Sequence, residues 1–139
     1  MKKMKVILYM LVFLLVLVLT SCATNNNKIL TIDDVTTAIT DEGIEMKEIE
    51  RNPRNIFQLD LNGVAPNVYT IQDNELTIYV FENETERQKG MDEFKERLGS
   101  ATIDTDKFTY EINNVVLFYV YTADTIDEKM ESVINKLSS

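Results

Sequence analysis

The chain begins with one long apolar run and continues as a series of shorter amphipathic segments. Residues 6–19 are apolar without interruption, and three lysines precede them. From residue 28 onward, apolar residues recur at every second position or at spacings of three and four, which are the periods of half-buried strands and amphipathic helices. The pattern therefore predicts an apolar leader followed by one domain that mixes strands and helices.

Two helices are predicted near the ends of this domain. The first covers residues 32–42, because Thr31 can accept hydrogen bonds from the first turn and Gly43 can close the last one. The second begins at Asp124 and is the clearest amphipathic segment of the chain. Its apolar stripe consists of Ile126, Met130, Val133, Ile134 and Leu137.

A third helix is predicted in the middle of the domain. Asn83, followed three residues later by Glu86, resembles a capping box, and Gly99 marks the end of the apolar stripe. Gly90 lies inside this helix, where glycine costs about 1 kcal/mol relative to alanine. We therefore expect Gly90 to allow close packing of the helix against the sheet.

Alternating and continuous apolar segments predict five or six strands. The predicted strands are residues 44–50, which are ambiguous, and residues 56–61, 68–72, 75–81, 108–112 and 115–121. Asn62-Gly63, Asp73-Asn74 and Asn113-Asn114 separate them as tight turns. The continuous apolar run 115–121 predicts a central strand that is buried on both faces.

This order of elements predicts an α+β fold. Because hairpins dominate, we expect a mainly antiparallel sheet of about five or six strands. Three helices would pack on this sheet in a single domain of two layers.

The net charge of the chain restricts the kinds of partner that it could bind. The chain has 23 acidic and 14 basic residues. All of the acids and 11 of the basic residues follow Cys22, which leaves that part with a net charge near −12. Such a surface argues against nucleic acid, whose phosphates need a basic partner. It is typical of a soluble surface, and a cationic protein partner is the alternative.

Residue types exclude several kinds of catalytic chemistry. The chain has no histidine and only one cysteine, so the usual zinc sites and histidine-dependent nucleophiles are ruled out. Four scattered glycines cannot form a phosphate-binding loop. We predict no catalytic residue, metal or cofactor. A glycosidase with two carboxylates is the remaining enzymatic alternative, although most acids occur where solvated helix faces and turns are predicted.

Aromatic residues on the predicted strands supply a candidate binding surface. Tyr79, Tyr119 and Tyr121 could present their rings from one face of the sheet, as tyrosines do at protein interfaces. The alternative is that they belong to the ordinary core of the sheet, with their hydroxyls reaching solvent.

The residues Leu19-Thr20-Ser21-Cys22 resemble the lipobox of bacterial lipoproteins, which is an aliphatic residue, two small residues and a cysteine. The apolar run before them has the length of a secretory leader and is shorter than the roughly 20 residues of a spanning helix. The resemblance implies that the Cys22 thiol receives a diacylglyceryl group and that the chain is cut before it. Residues 1–21 would then be a removed signal peptide, 22–30 a lipidated flexible tether and 31–139 the folded domain.

The function expected from these observations is that of a membrane-anchored lipoprotein on the extracytoplasmic side of the cell membrane. The lipid would hold the membrane, because two acyl chains suffice for stable anchoring. The domain, which resembles small uncharacterised lipoproteins of low-GC Gram-positive bacteria, would be a non-enzymatic binding or accessory module for a protein or envelope partner. The alternatives are an inhibitor or immunity-type protein with an acidic surface, and a carboxylate-based hydrolase of envelope glycans.

Overall fold

The structure is a computed structural model that describes residues 28–99, 109–120 and 127–139. These residues form three α-helices, five strands and one short 3₁₀ helix at Ile56–Gln58. In chain order the other elements are α1 (Ile32–Asp41), β1 (Lys47–Glu48), β2 (Asn67–Ile71), β3 (Asn74–Val80), α2 (Glu84–Leu98), β4 (Thr109–Ile112), β5 (Val115–Val120) and α3 (Asp127–Ser138). The predicted helix start at Asp124 lies outside the described residues.

The strands form one antiparallel sheet in the order β1-β2-β3-β5-β4. Hairpins join β2 to β3 and β4 to β5, so the prediction of a single-domain α+β fold with a mainly antiparallel sheet is confirmed. The first hairpin turns at Gln72-Asp73, one residue earlier than predicted, because Asn74 already pairs with Ile71 and Gln72 adopts the positive φ. Of the ambiguous segment 44–50, only β1 is a strand.

The predicted helix boundaries rest on capping interactions that the structure contains. The Thr31 side chain accepts from the Asp34 N–H while the Asp34 carboxylate accepts from the Thr31 N–H, which is a complete capping box. At the start of α2 the Asn83 side chain accepts from the Glu86 N–H at 3.0 Å. Gly43 and Gly99 follow α1 and α2 with positive φ.

Both faces of the sheet are covered, so the helices occupy two layers with the sheet between them. On one face, α1 and α3 bury Leu76, Leu117 and Tyr119 in a first core cluster. On the other, α2 and the segment around the 3₁₀ helix bury Tyr79 and Phe118 in a second cluster. The predicted burial of the run 115–121 on both faces is confirmed for β5 through Tyr119, whereas an arrangement of two layers does not provide the second cover that both apolar faces of β3 and β5 require.

Residues 56–61 are not the predicted strand. The Asn55 side chain accepts from the Phe57 N–H at 3.0 Å and opens a 3₁₀ helix there. Gln58, which occupies a polar position of the alternating pattern, is fully buried. The apolar and polar alternation in this segment therefore does not mark an exposed and a buried face. The predicted Asn62-Gly63 turn is present, with a two-residue loop between the paired residues Leu61 and Val64.

The expected close approach at Gly90 is confirmed. A Cβ atom at this position would lie 2.6 Å from two ring carbons of Phe81. Because Phe81 is itself buried, α2 can reach the sheet at this distance only with a hydrogen in place of a side chain.

Candidate functional site

Tyr79, one of the three tyrosines proposed as a binding surface, is completely buried in the second core cluster. Its hydroxyl lies 2.9 Å from the Phe57 carbonyl oxygen and 2.5 Å from that of Leu59, to which it donates. Burial raises the pKa of the Tyr79 phenol well above its ordinary value. Tyr79 therefore fastens the segment around the 3₁₀ helix to the sheet and presents no surface to a partner.

Tyr119 is also completely buried, on the opposite face of the sheet. Its hydroxyl accepts a hydrogen bond of 3.4 Å from the Asn74 side-chain amide. The two tyrosines point to different faces because they occupy positions of opposite parity on paired strands. The predicted tyrosine surface is thus wrong for Tyr79 and Tyr119, and Tyr121 lies outside the described residues.

Two carboxylates of α2 converge on the Asn62-Gly63 turn. Glu93 accepts from the Asn62 N–H at 2.5 Å, and Glu86 accepts from the Asn62 side-chain amide at 2.8 Å. Hydrogen bonds from Lys89 and Asn62 lower the pKa of the Glu86 carboxyl. A two-carboxylate glycosidase needs one acid with a raised pKa. The shift at Glu86 is in the opposite direction, and both carboxylates accept hydrogen bonds that hold the turn.

Gln58 closes a polar network beneath the segment that precedes β2. Its carbonyl oxygen accepts from the Asn52 N–H at 2.6 Å, and its amide donates to the Glu75 carboxylate at 3.1 Å. The Asn55 amide donates to the same Glu75 oxygen at 2.9 Å. The network provides hydrogen-bond partners for the buried amide of Gln58. In it, the Glu75 carboxylate serves as a structural acceptor.

The chain enters the domain through a clasp between Leu30 and Asn114. The Leu30 N–H donates to Asn114 Oδ1 at 2.7 Å, and Asn114 Nδ2 donates to the Leu30 carbonyl at 2.9 Å. Asn114 also bonds Phe81 through its side-chain amide and its own carbonyl. Leu30, which the sequence assigned to the tether, is buried in the first core cluster and so belongs to the folded domain.

A concavity of about 640 Å³ lies at the other end of the domain, and we call it the distal concavity. Its lining includes Ile44, just after α1, and Ile71, the last residue of β2. The ten residues of α1 lead from the clasp to this end, a length of about 15 Å. The clasp and the distal concavity are therefore at opposite ends of α1.

Two lysines contribute positive charge to the lining of the distal concavity. Lys47 and Lys129 both line it, and neither joins an ion pair within the described part of the chain. In contrast, five other described basic residues are each paired with a carboxylate: Arg51, Arg87, Lys89, Arg97 and Lys136. Among the described residues, Glu45 is the only acid that lines the distal concavity.

Sequence reasoning did not identify this site. Lys47 lies in a segment whose strand prediction is ambiguous, and Lys129 lies 82 positions later on the last predicted helix. Nothing in the spacing indicates that the two lysines share a concavity.

Comparison with known proteins adds no assignment, because neither a family model nor a curated protein nor a solved structure matches the chain. Within the described residues, no cluster of three or more potential metal ligands occurs. In the same part of the chain, no helix has the length and apolarity needed to cross a membrane.

Proposed function

We propose that this protein is a bacterial lipoprotein, anchored by acyl chains on Cys22, that displays a binding module outside the membrane. The observation that carries the proposal is the sequence of the first 22 residues, in which a basic start, an apolar run and Leu19-Thr20-Ser21-Cys22 follow in the order of a lipoprotein leader. Cys22 is the only cysteine of the chain, so it has no partner for an internal disulfide.

The position of the clasp supports a defined orientation of the anchored domain. The eight residues from Cys22 to Ile29 can extend at most about 28 Å. A compact domain of about 110 residues has a radius of gyration near 13 Å, equivalent to a sphere about 34 Å across. A tether of this length favours orientations in which the end that carries Leu30 lies nearer the membrane.

This orientation turns the distal concavity away from the bilayer. Acidic residues dominate the surface that remains, and their repulsion from anionic headgroups disfavours direct contact between the domain and the membrane. The lipid would hold the protein at the membrane while the far end remains accessible. An accessory or binding role is consistent with this arrangement, in which Tyr79, Glu86 and Glu93 make structural hydrogen bonds.

Fractionation of bacterial cells that express the full chain tests the proposal. The Cys22→Ala variant should carry no lipid, and its domain should be released from washed membranes. The matched control is Ser21→Ala, which keeps a small residue before the cysteine and should fractionate as wild type does. Metabolic labelling with a fatty acid that appears equally in wild type and in Cys22→Ala would contradict the proposal.

A further inference from the structure

The distal concavity has the composition of a ligand site for a small anion that carries an apolar group. Ile44, Met46 and Ile71 line it together with Lys47 and Lys129, neither of which has an ion pair in the described part of the chain. Its volume of about 640 Å³ is within the range of pockets that accept small organic molecules. Three elements of the fold contribute to it, since Ile71 ends β2, Lys47 belongs to β1 and Lys129 to α3.

The choice of an anion follows from the local charge. In the described lining, Lys47 and Lys129 outnumber the single acid, Glu45, whereas the chain as a whole is strongly negative. Charges screened by salt act over about 8 Å, so a ligand inside the concavity responds mainly to the lining. A polyanion, which extends beyond the lining, would meet the acidic surface and be repelled.

We propose that the distal concavity binds a small organic anion, with its carboxylate or phosphate group between Lys47 and Lys129 and its apolar body against Ile44, Met46 and Ile71. The proposal rests on the proposed function, of which it specifies the ligand class. Anion binding can be measured on a chain that is neither cleaved nor lipidated. The ligand proposal and the lipoprotein proposal can therefore fail separately.

The test uses the ¹⁵N-labelled full chain in nanodiscs of zwitterionic phosphatidylcholine, titrated with butyrate and with butyl phosphate. At least one of the two anionic probes should shift the amide resonances of Gly43 and Gln72, which also line the concavity. Butanol measures the apolar contribution alone and should produce smaller shifts. The stronger of the two anionic probes identifies the carboxylate or the phosphate as the source.

Variants of the two lysines test whether their positive charges contribute to anion binding in the concavity. Lys47→Gln and Lys129→Gln should each raise the Kd about threefold, the effect expected for a partly exposed charge pair, and Glu45→Gln should lower it. The control is Lys95→Gln, because Lys95 is exposed on α2, lines no part of the concavity and has no ion pair in the described structure.

The proposal is overturned if neither anionic probe shifts these amides, if butanol shifts them as strongly as the anions do, or if Lys95→Gln weakens binding as much as Lys47→Gln. It is supported if the shifts localise to the concavity and depend on Lys47 and Lys129. A folded spectrum in each variant separates loss of binding from loss of structure.

Discussion

The side-chain amide of Asn114 bonds both backbone groups of Leu30, at 2.7 Å to the N–H and 2.9 Å to the carbonyl, across 84 residues of sequence. Asn114 is buried, and its Nδ2 also donates to the Phe81 carbonyl at 2.7 Å. One side chain thus joins the entry of the chain to the centre of the sheet.

Removal of this amide should destabilise the domain and loosen its first residues. Asn114→Ala leaves three backbone groups of Leu30 and Phe81 without these partners, which should lower the free energy of unfolding by about 2–4 kcal/mol. Urea denaturation measures the loss, and hydrogen exchange should show faster exchange of the Leu30 amide. The exposed Asn135 provides the control, since Asn135→Ala should change stability by less than about 0.5 kcal/mol. Equal stability of the Asn114→Ala and wild-type proteins would contradict the role of the clasp.

Gly90→Ala should destabilise the protein although alanine favours helices. The added Cβ would lie 2.6 Å from the ring of Phe81, and the clash should outweigh the helical gain and leave a net loss of about 1–2 kcal/mol. Thermal or urea unfolding measures this loss. Phe81→Leu shortens the opposing side chain, so the double variant should lose less stability than the sum of the single variants. Additive losses would show that the two residues do not compete for space.

Tyr79→Phe should lower stability at neutral pH by about 1–2 kcal/mol, because the carbonyls of Phe57 and Leu59 lose a buried hydroxyl donor. Equilibrium urea unfolding at pH 7 measures the difference. Equal free energies of unfolding for the wild type and Tyr79→Phe would mean that the hydroxyl does not hold the 3₁₀ segment on the sheet.

The same tyrosine predicts how stability depends on alkaline pH. Burial raises the pKa of Tyr79 in the folded protein, whereas the unfolded phenol ionises near pH 10. Above about pH 10 the unfolded chain therefore binds fewer protons than the folded one, and stability falls as pH rises. Below that pH the contribution is fully present. Unfolding measured from pH 9 to 12 should show a shallower decline for Tyr79→Phe than for wild type, and parallel curves would refute this assignment.

The residues that begin and end the helices are the part of the fold that the sequence predicts best. Thr31 and Asn83 both cap helices as expected, and Gly43 and Gly99 both take positive φ after the helices they end. These features depend on neighbours within a few residues, so a single sequence contains the information. Gly90 was predictable for a related reason, since glycine in a helix interior needs a compensating contact.

Features that depend on distant partners were less predictable. Gln58 is buried because Glu75 and the Asn52 N–H satisfy its amide, and no local pattern indicates such partners. Tyr79 and Tyr119 differ from surface tyrosines only in what covers the two faces of the sheet. The lysines of the distal concavity come together only through the fold.

The identity of the first residue of the mature protein, and of the group on its sulfur, is the most direct test of lipid anchoring. Mass spectrometry of the chain purified from bacterial membranes should find Cys22 at the N-terminus with a diacylglyceryl adduct, and Ser21→Ala should give the same product. A membrane-bound chain that retains Met1, or that begins at Cys22 with an unmodified thiol, would contradict the proposal.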